Sequence, residues 1–335
     1  MQSYIFYRNF AEKNYLCAMQ LNAISRKSAI MAMALLLVML FAAVVRYWFA
    51  PFQMELADSE VRGSFLFVVI ALIAYFCSAF IQGKMLLRSE LVGSYTTLSM
   101  PISALLACGI FVAPNMIEAS VASLCFTVAL YLLMRSLHAI EEKDSVFFAS
   151  ILLGIMPLLY SPSVVLIAVI PIAIFLLALS LRQSLLMIIG YIVPFFVASY
   201  IGWYSGNGFF DMGAQLFSSF ITPQMTAIEQ VPYVAIVMAS LILLLLIWGV
   251  IYAAVRPTKT FALTRVRRAL YFFLLVLLAS LTIIFVPGCN LSVCAIIAAP
   301  ATILLGFVLD VLPNNASTIS YWVLLALFVV HLFVA

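Results

Sequence analysis

The chain has 335 residues, of which 67% are hydrophobic and 8% charged, and its mean hydropathy is +1.24. Soluble domains are about 45–50% apolar and about 25% charged, so this composition excludes a water-soluble fold and places the chain in a bilayer. The net charge of +4 reflects how the spans are oriented and gives no reason to expect nucleic acid.

A helical crossing needs about 20 apolar residues, so the length accommodates about eleven spans (ten to twelve) joined by short loops. The expected fold is all-α, a polytopic transmembrane helical bundle that forms one domain over 28–335. Ahead of it, residues 1–27 form a cytoplasmic amphipathic segment. Phe6, Phe10, Cys17, Leu21 and Ile24 fall near one helical face, with Arg8, Glu12 and Arg26 on the other, the pattern of an interfacial helix. The first long apolar run begins only after Arg26 and Lys27 and is too long for a signal-peptide core, so it reads as an uncleaved first span.

Span 1 covers 28–50 and span 2 covers 64–81, with an outer loop at 51–63 between them. Spans 3 (95–112) and 4 (117–134) follow, and Arg135, His138, Glu141, Glu142, Lys143 and Asp144 make the next hydrophilic loop. Spans 5 (146–160) and 6 (163–181) are separated by the Ser-Pro of 161–162 and contain Pro157 and Pro171. Proline removes a backbone donor, and hydrocarbon cannot satisfy the freed carbonyl. This bent hairpin is therefore expected to pack inside the bundle or line a cavity. Span 7 (185–203) leads to a second outer loop at 204–231. There Phe209, Met212, Gly213, Leu216, Phe217 and Phe220 have helical spacing, with Asn207 as the N-cap and Pro223 as the stop. Span 8 (232–255), the basic loop 256–268, span 9 (269–286), span 10 (292–309) and span 11 (319–335) complete the chain.

The basic loop holds Arg256, Lys259, Arg265, Arg267 and Arg268. Cationic loops stay cytoplasmic, and alternating outward from this one places 14 of the 16 Lys+Arg inside, leaving only Arg46 and Arg62 outside. The amino terminus is then inside, the carboxyl terminus outside, and the setting is a bacterial inner membrane.

Few residues offer chemistry. The first outer loop and its approaches carry Arg46, Glu55, Asp58, Glu60 and Arg62. They read either as a solvated connector or as a site in which a carboxylate takes a proton from an acceptor hydroxyl while an arginine holds an anionic leaving group. Asp211 falls in the first turn of the outer helix, where the helix dipole already favours a carboxylate. Cys289 and Cys294 flank a turn placed outside, where the alternatives are ordinary packing and a disulfide. His138 and His331 stand apart from any other ligand, so neither a metal nor a cofactor is expected. No acid or base falls mid-span, which weighs against an ion-coupled transporter.

The run from Gly154 through Tyr160, Ser161 and Pro162 to Pro171 resembles the bent hairpin of integral-membrane glycosyltransferases of the GT-C class. The resemblance covers roughly residues 28–230. It implies an inverting transferase that uses a sugar on a polyprenyl phosphate, with Asp58 or Glu55 as general base and Arg46 or Arg62 facing the donor phosphate. The loop at 51–63 is much shorter than is usual in that class, and no large soluble domain follows the core, as in a reduced or non-catalytic relative. Beside this stand two other functions: a non-enzymatic polytopic subunit or scaffold that contacts other envelope membrane proteins, and a transporter or flippase. In each case the lipid bilayer is the first partner.

Overall fold

A computed structural model describes residues 65–88, 91, 102–103, 106, 116–137, 144–221, 233–255, 262–286, 289, 293–311 and scattered positions between 316 and 326. Nine α-helices and one 3-10 helix are defined among the described residues, with no strand: α1 (Phe65–Arg88), α2 (Met116–Ser136), α3 (Asp144–Leu159), the 3-10 helix Ser161–Ala168, α4 (Val169–Leu176), α5 (Leu181–Tyr204), α6 (Asp211–Ile221), α7 (Tyr233–Val255), α8 (Ala262–Phe285) and α9 (Cys294–Val311). Helices α1, α2, α5 and α8 are long and apolar enough to cross a membrane, and shorter apolar stretches occur in α3, in 161–176, in α7 and in α9. The fold is an all-α membrane-protein bundle. Span 1, most of spans 3 and 11 and the amino-terminal segment lie outside the described residues.

Local sequence sets the helix ends. At α5, the Ser180 hydroxyl accepts from Gln183 N while the Gln183 side chain accepts from Ser180 N, a capping box that starts the helix ahead of the apolar run. Its other end closes through Gly206 N to Trp203 O and Asn207 N to Gly202 O, with Gly206 at φ +95. Left-handed closure of this kind favours glycine. The end of α4 uses the same bond, Leu179 N to Ile174 O, but there the left-handed residue is Ala178, at φ 52.

The hairpin bends as its prolines require. Pro157 sits in the last turn of α3, and the chain re-enters as a 3-10 helix beginning at Ser161-Pro162 before continuing into α4. Val146, Ala149, Ser150, Leu153, Gly154, Met156 and Pro157 are buried, and α3 lies between α2 and α5. The first limb of the hairpin thus packs inside the bundle, while the returning limb leaves Ile167, Pro171 and Phe175 exposed.

Close approaches fix the register. A Cβ on Gly154 would lie 2.3 Å from Tyr191 O, and one on Gly190 would lie 2.8 Å from Phe147 O. The contacts advance together along both helices, so α3 and α5 are parallel. Gly306 of α9 meets Leu86 of α1 and Gly249 of α7 meets Val308. Helix α9 packs on α1, α2, α7 and α8, and every residue from 298 to 309 is buried, as expected of a helix apolar on all sides.

The bundle has two chemically different ends. Arg265 donates to Leu91 O and lies over the Phe307 ring, which gathers the end of α1, the start of α8 and the end of α9. Ser123, near the start of α2, donates to Ala295 O near the start of α9, so the end of α2, with Arg135, joins the same group. Antiparallel return through α3 then puts the start of α5, with Arg182, there too. Among the described residues every Lys and Arg lies at this basic end. The opposite end holds the hairpin turn, Val286 and Cys289 beyond the end of α8, and α6, and Tyr160 and Cys289 meet there.

Three boundaries differ from the sequence expectation. Helix α8 begins at Ala262, so Arg265, Arg267 and Arg268 belong to a helix rather than a loop; arginine is a good helix former, and its charge here marks depth and not a break. Helix α1 runs on to Arg88 for the same reason. Asn207 does not cap α6. Asp211 bonds Gly208 N at 2.6 Å, the reciprocal half of a capping box, and that local role accounts for its carboxylate. Pro223 lies outside the described residues.

The left-handed alanine yields a stability prediction. An L-residue in this conformation costs about 1–2 kcal/mol, partly offset in glycine by about 0.5–1 kcal/mol of chain entropy. Ala178→Gly should therefore raise the melting temperature in detergent by about 2 °C, and Gly206→Ala should lower it. Opposite signs would show that the two turns do not close as described.

Candidate functional site

The sequence-derived candidates Arg46, Glu55, Asp58 and Arg62 lie outside the described residues, as do His138 and His331. All four candidates precede Phe65, the first residue of α1, and α1 starts at the end opposite the arginines. The described groups at the end where α1 starts are therefore the ones whose geometry can be given.

Of those groups, the hairpin turn is the most constrained. Ser163 Oγ donates to Tyr160 O at 2.7 Å, and the Tyr160 ring is buried. Its hydroxyl reaches Cys289 Sγ at 3.8 Å, tying the hairpin to the turn between α8 and α9. Burial pushes the Cys289 thiol up from its ordinary value, while hydrogen bonds to Tyr160 and Thr282 pull it partly back. A thiol held protonated is a poor nucleophile, so this contact serves as an anchor. Cys289 and Cys294 are not bridged to each other in this structure.

Membrane-depth hydroxyls are mostly satisfied by their own helices. Ser78 donates to Ala74 O, Thr127 to Ser123 O, Ser150 to Val146 O and Thr282 to Ala279 O, the back-bonding that lets Ser and Thr sit in a helix interior. Tyr75 on α1 donates to Ser103 O, and its hydroxyl also lies 3.0 Å from the Ser103 hydroxyl. The side chains of Gln82 and Thr302 and the Tyr271 hydroxyl are buried without a hydrogen-bond partner among the described residues. Sequence reasoning singled out none of these, because a lone Gln, Thr or Tyr in an apolar run carries no motif.

Outside the bundle, α5 presents a long apolar face. Only 22% of it is buried, against 56% of α2. Leu181, Leu185, Ile188, Ile192 and Phe196 form the exposed stripe, ending in Tyr200, Trp203 and Tyr204. The turn before α6 and α6 itself continue it with exposed Phe210 and Phe217 respectively, and Phe209 packs on Phe196 of α5. Among the described residues no group of three His, Cys, Asp or Glu gathers as metal ligands.

Comparison with protein-family models, with curated proteins and with solved structures found no match. Functional inference therefore rests on this chain's own residues.

The Tyr160–Cys289 contact predicts a pH profile. Because the thiol is displaced upward, alkylation of Cys289 should remain slow at neutral pH and accelerate only above the ordinary thiol range. Tyr160→Phe removes a bond that favours the thiolate and should move the profile higher still. Peptide-resolved mass spectrometry after timed alkylation reads both, and rapid labelling of native Cys289 at pH 7 would contradict the described contact.

Proposed function

We propose that this chain is a multi-pass protein of a bacterial inner membrane, with its basic end in the cytoplasm, and that its opposite end handles a lipid-linked sugar. The observation that carries this reading is a juxtaposition. The bent hairpin on which the resemblance to GT-C glycosyltransferases rests has its turn at the end opposite the basic one, and the polar stretch with Glu55, Asp58 and Arg62 leads into α1 from that same end. Retention of cationic segments on the cytoplasmic side makes this the outer face.

In the proposed reaction an acceptor hydroxyl loses its proton to Asp58 or Glu55 as its oxygen attacks the anomeric carbon. The bond from that carbon to the phosphate oxygen breaks, and Arg46 or Arg62 meets the charge on the departing polyprenyl phosphate. Attack opposite the leaving group inverts the anomeric centre. The exposed stripe of α5 faces lipid in this arrangement, with Tyr200, Trp203, Tyr204 and α6 at the outer headgroup level, where amphipathic aromatic rings accumulate. A lipid-borne donor would thus reach the outer end without leaving the membrane.

A second function, a non-enzymatic subunit of an envelope system, is favoured by the tight interior, in which glycine contacts and the buried α9 make a rigid frame. One experiment separates the two. Membranes carrying Asp58→Asn or Glu55→Gln are assayed for transfer of sugar from a polyprenyl-phosphate-linked hexose, with protein accumulation measured in parallel. Loss of a general base costs about 10²–10⁴ in rate, whereas an exposed substitution shifts stability by only about 0.5 kcal/mol. Loss of transfer at normal protein level supports the enzyme. Transfer unaffected in both variants and in Arg62→Ala ends the catalytic reading and leaves the scaffold.

A further inference from the structure

Gln82 of α1 and Thr302 of α9 are each fully buried, and Gln82 Nε2, Gln82 Oε1 and Thr302 Oγ1 have no hydrogen-bond partner among the described residues. They occur at matching positions. Gly306 faces Leu86 across the α1–α9 interface, and Arg265 brings Leu91 and Phe307 together one step further toward the basic end, so the two helices run parallel there. Gln82 is four residues before Leu86 and Thr302 four residues before Gly306. Residues four apart share a helix face, so Gln82 and Thr302 look at each other across the interface, one turn deeper in the bundle.

Leaving three such atoms unsatisfied would be costly, since a buried polar group without a partner bears its full desolvation penalty. The neighbouring side chains are small: Ala79 lies on the Gln82 face and Ala298 and Ala299 on the Thr302 face, all buried. We propose that Gln82 and Thr302 form an internal hydration site between α1 and α9 that binds an ordered water molecule. Water matches the group set because it can accept from Gln82 Nε2, donate to Gln82 Oε1 or Thr302 Oγ1, and fit beside alanine. A metal cation does not match, because the amide N–H groups would point positive charge at it and no carboxylate is present.

The test uses the full-length protein in lipid nanodiscs. Millisecond X-ray pulses generate hydroxyl radicals from bound water in place, and mass spectrometry reads which buried side chains are modified. The hydration site predicts labelling at Leu86, next to Gln82, above the level at Leu130, which is equally buried. That excess should be lost in the Gln82→Leu/Thr302→Val double variant. Each single substitution strands the other group and should lower the melting temperature by about 2–4 °C, while the double variant should recover most of the loss. No excess labelling at Leu86 overturns the proposal even where the melting temperatures are coupled, since coupling alone would mean a direct Gln82–Thr302 bond. Single substitutions that raise the melting temperature overturn it as well, and the labelling of the native protein stands as a test whether or not the variants fold.

Discussion

The bundle depends on burying α9 on every side. A helix surrounded by α1, α2, α7 and α8 cannot present a polar face anywhere, and its neighbours can close on it only where side chains are small. Ala295, Ala298, Ala299, Ala301 and Gly306 on α9 and Gly249 on α7 supply that clearance. Small residues let helix backbones approach closely in membranes, where lipid tails are as apolar as leucine and exert no hydrophobic push. The Ser123 bond to Ala295 O and the Arg265 contact with Phe307 then pin α9 at its two ends. The first links it to α2, and the second to α8 and the end of α1.

The same shortage of solvent governs polar groups. Hydroxyls that bond back to their own helix are cheap to bury, and most follow that rule. Pro157 frees a carbonyl within α3, whose Pro157 face is enclosed by protein, where such carbonyls are tolerated, whereas Pro171 on the returning limb is exposed. The Tyr160 contact puts the hairpin turn at the end opposite the basic one, beside Cys289. It thereby links the fold to the proposed outer-face chemistry: a rigid frame holds one end, and the polar stretch before α1 is attached to it.

Much of the helical plan was legible because hydrophobic run length and charge placement are strong signals. Span 8, expected at 232–255, is α7 at Tyr233–Val255, and the proline-marked break at 161–162 is where the 3-10 helix begins. Run length failed where charge lies inside a helix. The first turns of α8 and the last turns of α1 carry arginine or lysine, so an apolar window ends before the backbone does. Asn207 resembled a cap by composition, yet Asp211 three residues beyond Gly208 does that work through its own carboxylate. At the site, Tyr160 stood inside the hairpin motif, but its partner Cys289 is 129 residues away, a separation no local pattern reveals. The facing of Gln82 and Thr302 was equally hidden, because it depends on the register between two helices distant in sequence.

The separation of the basic end from the opposite end, with the membrane between them, is the central claim. Single cysteines placed at Ser205 and at Arg267, both exposed and at opposite ends of the bundle, test it most directly when labelled with a membrane-impermeant maleimide in intact cells. Position 205 should react from outside, and position 267 only after permeabilisation. Labelling of position 267 in intact cells, or of both positions from the same side, would contradict it.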